Sequence, residues 1–283
     1  MYFKLKYLFL LIVLFSIISF SCQQKEDIKE EEEEQEETTI IKDPGFSKIS
    51  GFSPENFKLR LSAEEDATIY YTVDASDPRT SKTAKEYEEP ILIYDKTKEP
   101  NVYENIISNE TSPVSVSLSN FNGPVYPVDK AFVVRAVTKN KKGEFSEINS
   151  KTYFVITGDL EVYQDFNVVS IVTNPANLFD PDIDIYVTGT MYQEWKKSDK
   201  YDPKQSPWDK NGKCNFFQRV EEWEREALVT IFEKGEKIVQ QNMGIKIKGA
   251  STRNNPGKSF NLHAKKNTEN QQLKLNYLKI IMT

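Results

Sequence analysis

From about Pro44 onward the chain is written in short runs whose apolar residues fall at every second position, each run stopped by Gly, Pro, Asn, Asp or Ser. A period of two puts one set of side chains on one face of a strand, and no helix can use it. The runs are "FKLRLSA" (57–63), "ATIYYTVD" (67–74), "PILIYD" (90–95), "VSVSL" (114–118), "AFVVRAVTK" (131–139) and "SKTYFVI" (150–156). No helical periodicity interrupts them, so this half is expected to be an antiparallel β-sandwich. "TKNKKGEF" (138–145) reads as a hairpin with Gly143 at the position that wants a positive φ.

The segment before these runs has a different physical character. "MYFKLKYLFLLIVLFSIISFSC" carries Lys4 and Lys6, then an apolar run from Tyr7 to about Phe20, then small residues before Cys22. That is the pattern of a secretory signal sequence, and the run is short for a spanning helix, which wants roughly 20 apolar residues. A cysteine at the end of such a segment resembles the lipidation site of bacterial lipoproteins, although Ser19 stands where that signal usually has Leu. The alternatives are a signal cut near Ser21 or an uncleaved anchor. Cleavage before Cys22 removes both lysines and takes the formal net charge from −6 to −8. Residues 23–39 are nearly all charged and polar, so the segment 22–44 reads as an extended, disordered acidic tether. The expectation is an exported, membrane-anchored lipoprotein on the cell surface or in the envelope, with an envelope protein or glycan as partner.

Composition excludes several activities. Lys and Arg total 37 against 43 Asp and Glu, which argues against a nucleic-acid partner. Cys214 is the only cysteine after Cys22, so no intrachain disulfide is expected in the mature protein. His263 is the single histidine, which rules out a three-His zinc site. It sits in "KSFNLHA" and reads as a half-exposed strand residue rather than the base of a Ser-His-Asp triad. Asp180, Asp182 and Asp184 alternate, but Ile185 and Met191 occupy the places where an EF-hand needs Gly and Glu, so the triplet reads as a turn.

"IYYTVDASDPRTSKTAKEYEEPI" resembles the sandwich module at the C-terminal end of chitobiases and β-hexosaminidases. Tyr70, Tyr71, Thr72, Asp74, Ser76, Asp77, Pro78, Tyr87, Pro90 and Ile91 fill its pattern, and Ala75 stands where the module usually has Gly. The module is immunoglobulin- or fibronectin-III-like in fold. Tyr70, Tyr71 and Tyr87 could form a stacking surface for glycan, but alternating strand aromatics pack by default, and packing is the expected role.

The second half starts near Asn167, with a buried strand over 168–172, another near 185–187, a long loop over 190–220 and a strand through 228–232. It leads to "GIKIKGASTRNNPGKSFNLHA" (244–264), a polar loop between two period-two strands. Gly257, Lys258 and Ser259 match the end of a P-loop. Thr252 replaces its first Gly, Pro256 removes a donor, and "KSFNLHA" alternates as a strand where a helix is required. A kinase-type hairpin carrying a lysine to phosphates fits better. The residues alone favour an ordinary polar hairpin loop, since most loops containing Gly and Asn are only turns.

"VVSIVTNPANLF", "EWEREALVTIFE" and "QNMGIKIKGASTRNNPGKSFNLHA", in that order, resemble the CotH family of spore-coat-type atypical protein kinases. Gly249, Ala250, Ser251, Thr252, Arg253, Pro256, Lys258 and Ser259 occupy the family's loop positions, and the sandwich is its common companion. The resemblance implies an incomplete kinase-like α+β N-lobe at 158–283 after the sandwich at 45–157, with ATP-dependent phosphorylation of Ser as the family's activity. It implies nucleotide contacts for Arg253 and Lys258, with Gly249 and Ser251 shaping the loop. ATP and Mg²⁺ are the full-length family's requirements. Their carboxylates come from downstream of the lysine, and residues 265–283 contain no Asp and a single Glu, Glu269. An inert fragment that needs no cofactor is therefore expected, with no catalytic or metal-binding residue of its own. The family likeness stops at Lys266. AT-rich codons can be written for the tail whose shifted frame yields Tyr-Gly and an apolar strand, which points to a slip in the A-run encoding Lys265 and Lys266. Sequencing the locus is expected to show a kinase-like continuation in the shifted frame; an open frame without one contradicts this.

Overall fold

The hairpin at Gly143 forms as its sequence requires. Gly143 adopts φ +90°, its N–H reaches the Asn140 carbonyl at 3.0 Å, and Lys139 bridges Phe145 across the turn. The computed structural model describes residues 40–103, 106, 108, 123–202, 204 and 213–264. The signal segment, Cys22, the tether residues 23–39, the run at 114–118 and the tail from Lys265 lie outside the described residues.

The described part of the chain is mainly β. In the first half, β1 (Gly45–Phe46), β2 (Gly51–Ser53), β3 (Phe57–Leu59), β4 (Leu61–Ser62), β5 (Thr68–Thr72), β6 (Lys85–Glu86), β7 (Ile91–Ile93), β8 (Phe132–Lys139) and β9 (Asn149–Val155) follow one another. A five-stranded sheet runs β2-β9-β8-β5-β6, antiparallel except for β2 beside β9. Opposite it lie the pairs β1-β4 and β3-β7. Leu59, Ile91 and Ile93 from one layer meet Ile69, Phe132, Val134 and Tyr153 from the other in one core. Burying each such side chain contributes about 1.5–3 kcal/mol, which is what holds two short-stranded layers together.

The turn after β5 shows why the departure at Ala75 is physical. Ala75 sits at φ +64°, in the left-handed region where a Cβ is strained and glycine is not. The turn persists because Asp74 accepts the Ser76 N–H at 3.0 Å and the Thr83 hydroxyl at 2.6 Å, while Thr72 donates to the Ser76 carbonyl. Burial pushes the Asp74 carboxyl up, but these hydrogen bonds outweigh it and hold it below the usual range.

The second half forms a four-stranded antiparallel sheet in chain order, β10 (Asn167–Val172), β11 (Arg225–Glu233), β12 (Glu236–Ile247) and β13 (Phe260–Ala264). One face carries Ala227, Ile245 and Ile247 against Tyr192, Trp195, Phe216 and Phe217. The other face meets the sandwich: the fully buried Phe232 ring lies edge-on to Phe52 at 5.4 Å and to Phe154 at 5.7 Å. Beside this contact Ser170 donates to Thr152 and Ser50 donates to Gln240.

The structure departs from the sequence expectation at two places. Residues 185–187 form no strand, because the Asp184 carboxylate captures the N–H groups of Tyr186 and Val187, both at 2.7 Å, that a ladder would need. The stretch 190–220 is not one long loop. It opens with helix α2 (Gly189–Lys197), which follows the short α1 (Ala176–Phe179), and it holds a 3-10 turn at Asn215–Phe217. Tyr192 and Trp195, three residues apart, give α2 its buried stripe.

Replacing Ala75 with glycine removes the left-handed strain at the cost of extra chain entropy. Ala75→Gly is therefore expected to stabilise the full chain by about 0.5–1 kcal/mol in urea denaturation; an unchanged or lower midpoint contradicts this account of the turn.

Candidate functional site

The loop between β12 and β13 is closed at its base, where the Lys248 N–H donates to the Ser259 carbonyl at 2.7 Å. Gly249 then turns the chain at φ +110°, and a Cβ there would stand 2.1 Å from the Thr252 hydroxyl. Only glycine fits, so Gly249 shapes the loop. A 3-10 turn at Ser251–Asn254 follows, with Ser251 exposed at its tip.

Arg253 points inward from this turn. It is 5% exposed, and its guanidinium donates to the carbonyls of Gly249 at 2.7 Å, Phe216 at 2.8 Å and Gln218 at 3.2 Å. A cation withdrawn from water needs such acceptors, and these three tie the loop to the Asn215–Phe217 turn. Arg253 is thus placed as a clamp within the fold.

Lys258 is also buried, at 7% exposure. Its ammonium lies 4.4 Å from the Phe216 ring centre and 5.0 Å from that of Tyr186, and it donates to the Ser108 hydroxyl at 2.9 Å and the Asn255 carbonyl at 3.1 Å. Ser108 and the Tyr186 hydroxyl both donate to the Pro256 carbonyl. Burial, partly offset by Cys214 and Asp184, brings the Lys258 ammonium down to about 7. Asp184 has no exposed surface; besides the two backbone N–H groups it accepts from the Asn215 amide at 2.9 Å, and burial still raises its carboxyl to about 6. The four loop residues picked from the sequence thus share one hairpin, and Arg253 and Lys258 converge on Phe216. No sequence spacing ties Phe216, Tyr186 or Ser108 to this loop; "CNFF" (214–217) is the available sign of an aromatic floor.

His263 is placed as a strand residue. Its Nδ1 lies 2.6 Å from Glu224 Oε2, and Lys246 approaches the same oxygen at 3.6 Å. Burial raises the Glu224 carboxyl, but His263 and Lys246 outweigh it and hold it below the usual range. In the sandwich, Tyr71 and Tyr87 pack edge-on at 6.3 Å against the core, and Tyr70 meets Phe145 at 6.4 Å. The tyrosines are packing residues.

The Lys258 shift has a definite sign. Between about pH 7 and 10.5 the unfolded chain keeps a proton that the folded chain has released, so stability rises with pH across that window. Urea midpoints of the full chain at pH 7 to 9 are expected to climb, and Lys258→Met is expected to flatten the slope; an identical slope in the variant contradicts it.

No curated protein and no solved structure matches the chain. Residues 57–153 match the family model described as Fn3 associated, and the matched stretch is a β-sandwich module related to fibronectin type III and chitobiase-type domains.

Proposed function

We propose that this chain is an exported, lipid-anchored envelope protein in which the sandwich is followed by a nucleotide-binding hairpin of the CotH kinase type. The observation that carries the reading is Lys258: a lysine enclosed by Phe216 and Tyr186 at the root of a glycine-shaped polar loop. Enclosing an ammonium among rings is costly for the fold, and strongly shifted titratable groups gather at functional sites. Nucleotide phosphate is the ligand that such a group, in a polar loop, suits best.

The roles divide between the two cations. Lys258 meets phosphate oxygens, displacing the Ser108 hydroxyl that it now contacts at 2.9 Å. Arg253 keeps the loop in shape through its three carbonyls. Transfer to a serine needs carboxylates to hold Mg²⁺ and orient the acceptor. Asp184, the carboxylate whose charge is felt at Lys258, is fully buried and bonded to three N–H groups. In this reading ATP is held and not consumed.

The test is titration of the full chain with a fluorescent ATP analogue, alongside a phosphate-release assay. Saturable binding is expected, weakened at least about tenfold by Lys258→Met, which loses a charge-assisted hydrogen bond. Lys258→Arg is expected to retain part of it. Equal binding by wild type and Lys258→Met sinks the proposal, as does ATP turnover.

A further inference from the structure

A second concave site lies where the sandwich meets the four-stranded sheet. The pairing places Val172, Leu228 and Asn242 in one row across β10, β11 and β12, and this row forms the floor. Arg135 of β8, Ser150 of β9, Glu147 before β9 and Arg79 from the turn after β5 form the wall, and Glu226 stands at the end of the floor. The cleft encloses about 410 Å³, within the roughly 300–1,000 Å³ of small-molecule sites, which favour junctions between domains.

Arg135 is the buried charge in the wall of the cleft. It is 94% buried, its Nη1 donates to the Ala75 carbonyl at 2.8 Å, and its Nε, itself shut off from solvent, meets no acceptor among the described residues. A desolvated guanidinium with an unmet donor is a costly arrangement. Arg79 is already engaged, since Asp77 holds it through both carboxylate oxygens. Two arginines and two glutamates balance in the lining, so neither a bare anion nor a bare cation is favoured. Groups that donate to carboxylates and also accept from a guanidinium are favoured, and hydroxyls do both. The Ser150 hydroxyl and Asn242 amide add further partners of both kinds, while Val172 and Leu228 offer an apolar floor for C–H surface. No tyrosine of the sandwich takes part.

We propose that this cleft binds a neutral saccharide, with Glu147 and Glu226 accepting from its hydroxyls and Arg135 donating to its oxygens. The site is separate from the Lys258 hairpin and stands whether or not that hairpin takes nucleotide. Calorimetric titration of the full chain with neutral gluco-, manno-, xylo- and N-acetylglucosamine oligomers, and with an acidic galacturonan, tests it. One neutral oligomer is expected to saturate the wild type. Glu226→Gln, which removes a charged acceptor, and Asn242→Trp, which fills the cleft from an exposed position, are each expected to weaken it at least about tenfold. Tyr70→Ala is expected to bind as wild type. Binding of no neutral oligomer, binding of the galacturonan alone, or a loss confined to Tyr70→Ala overturns the proposal.

Discussion

A cation taken out of water must find its acceptors in the chain, and the second half of this protein is arranged around two that have been. Arg253 finds three carbonyls, and in doing so draws the β12–β13 loop onto the Asn215–Phe217 turn. That contact brings the Phe216 ring under Lys258. Gly249 allows the loop to fold back tightly enough for this, since a side chain there would collide with Thr252. The same Asn215 amide that helps hold Asp184 lies against Gly189, whose φ of +73° lets helix α2 start there. Clamp, floor and helix are therefore one connected arrangement, and Lys258 is enclosed as its consequence.

The two sheets are joined by different physics. Phe232 from β11 meets Phe52 and Phe154 from the sandwich, a dry aromatic contact flanked by hydroxyl and amide pairs. Further along the same face the side chains turn from aromatic to charged, and the sheets leave a polar cleft instead of a packed seam. A sandwich of the Fn3-associated kind thus supplies one wall of a site whose floor belongs to another sheet.

The sandwich was legible because its information is local. Period-two runs predicted β3, β5, β7, β8 and β9, and Gly143 marked its hairpin. The unexpected Ala75 pointed to a position that in the fold adopts a positive φ. What escaped reading was set by partners distant in the chain. The run at 185–187 has strand composition, yet the carboxylate of Asp184 just before it takes the amides of Tyr186 and Val187. Helix α2 is too short and too polar for periodicity to announce it. Arg253 and Lys258 were visible as loop cations, but their burial depends on Phe216, Tyr186 and Ser108, which no spacing rule connects to them. The cleft draws on residues from 79 to 242, and so exists only once both sheets are in place.

The proposed nucleotide site turns on one enclosed ammonium, that of Lys258. Nitrogen-15 NMR of the lysine side chains, with Lys258 assigned by its Lys258→Arg variant, reads its titration directly. The enclosed ammonium is expected to titrate near 7 in the free chain and to move upward when ATP is added, because a phosphate favours its charged form. A Lys258 that titrates near 10.5 and ignores ATP contradicts the account.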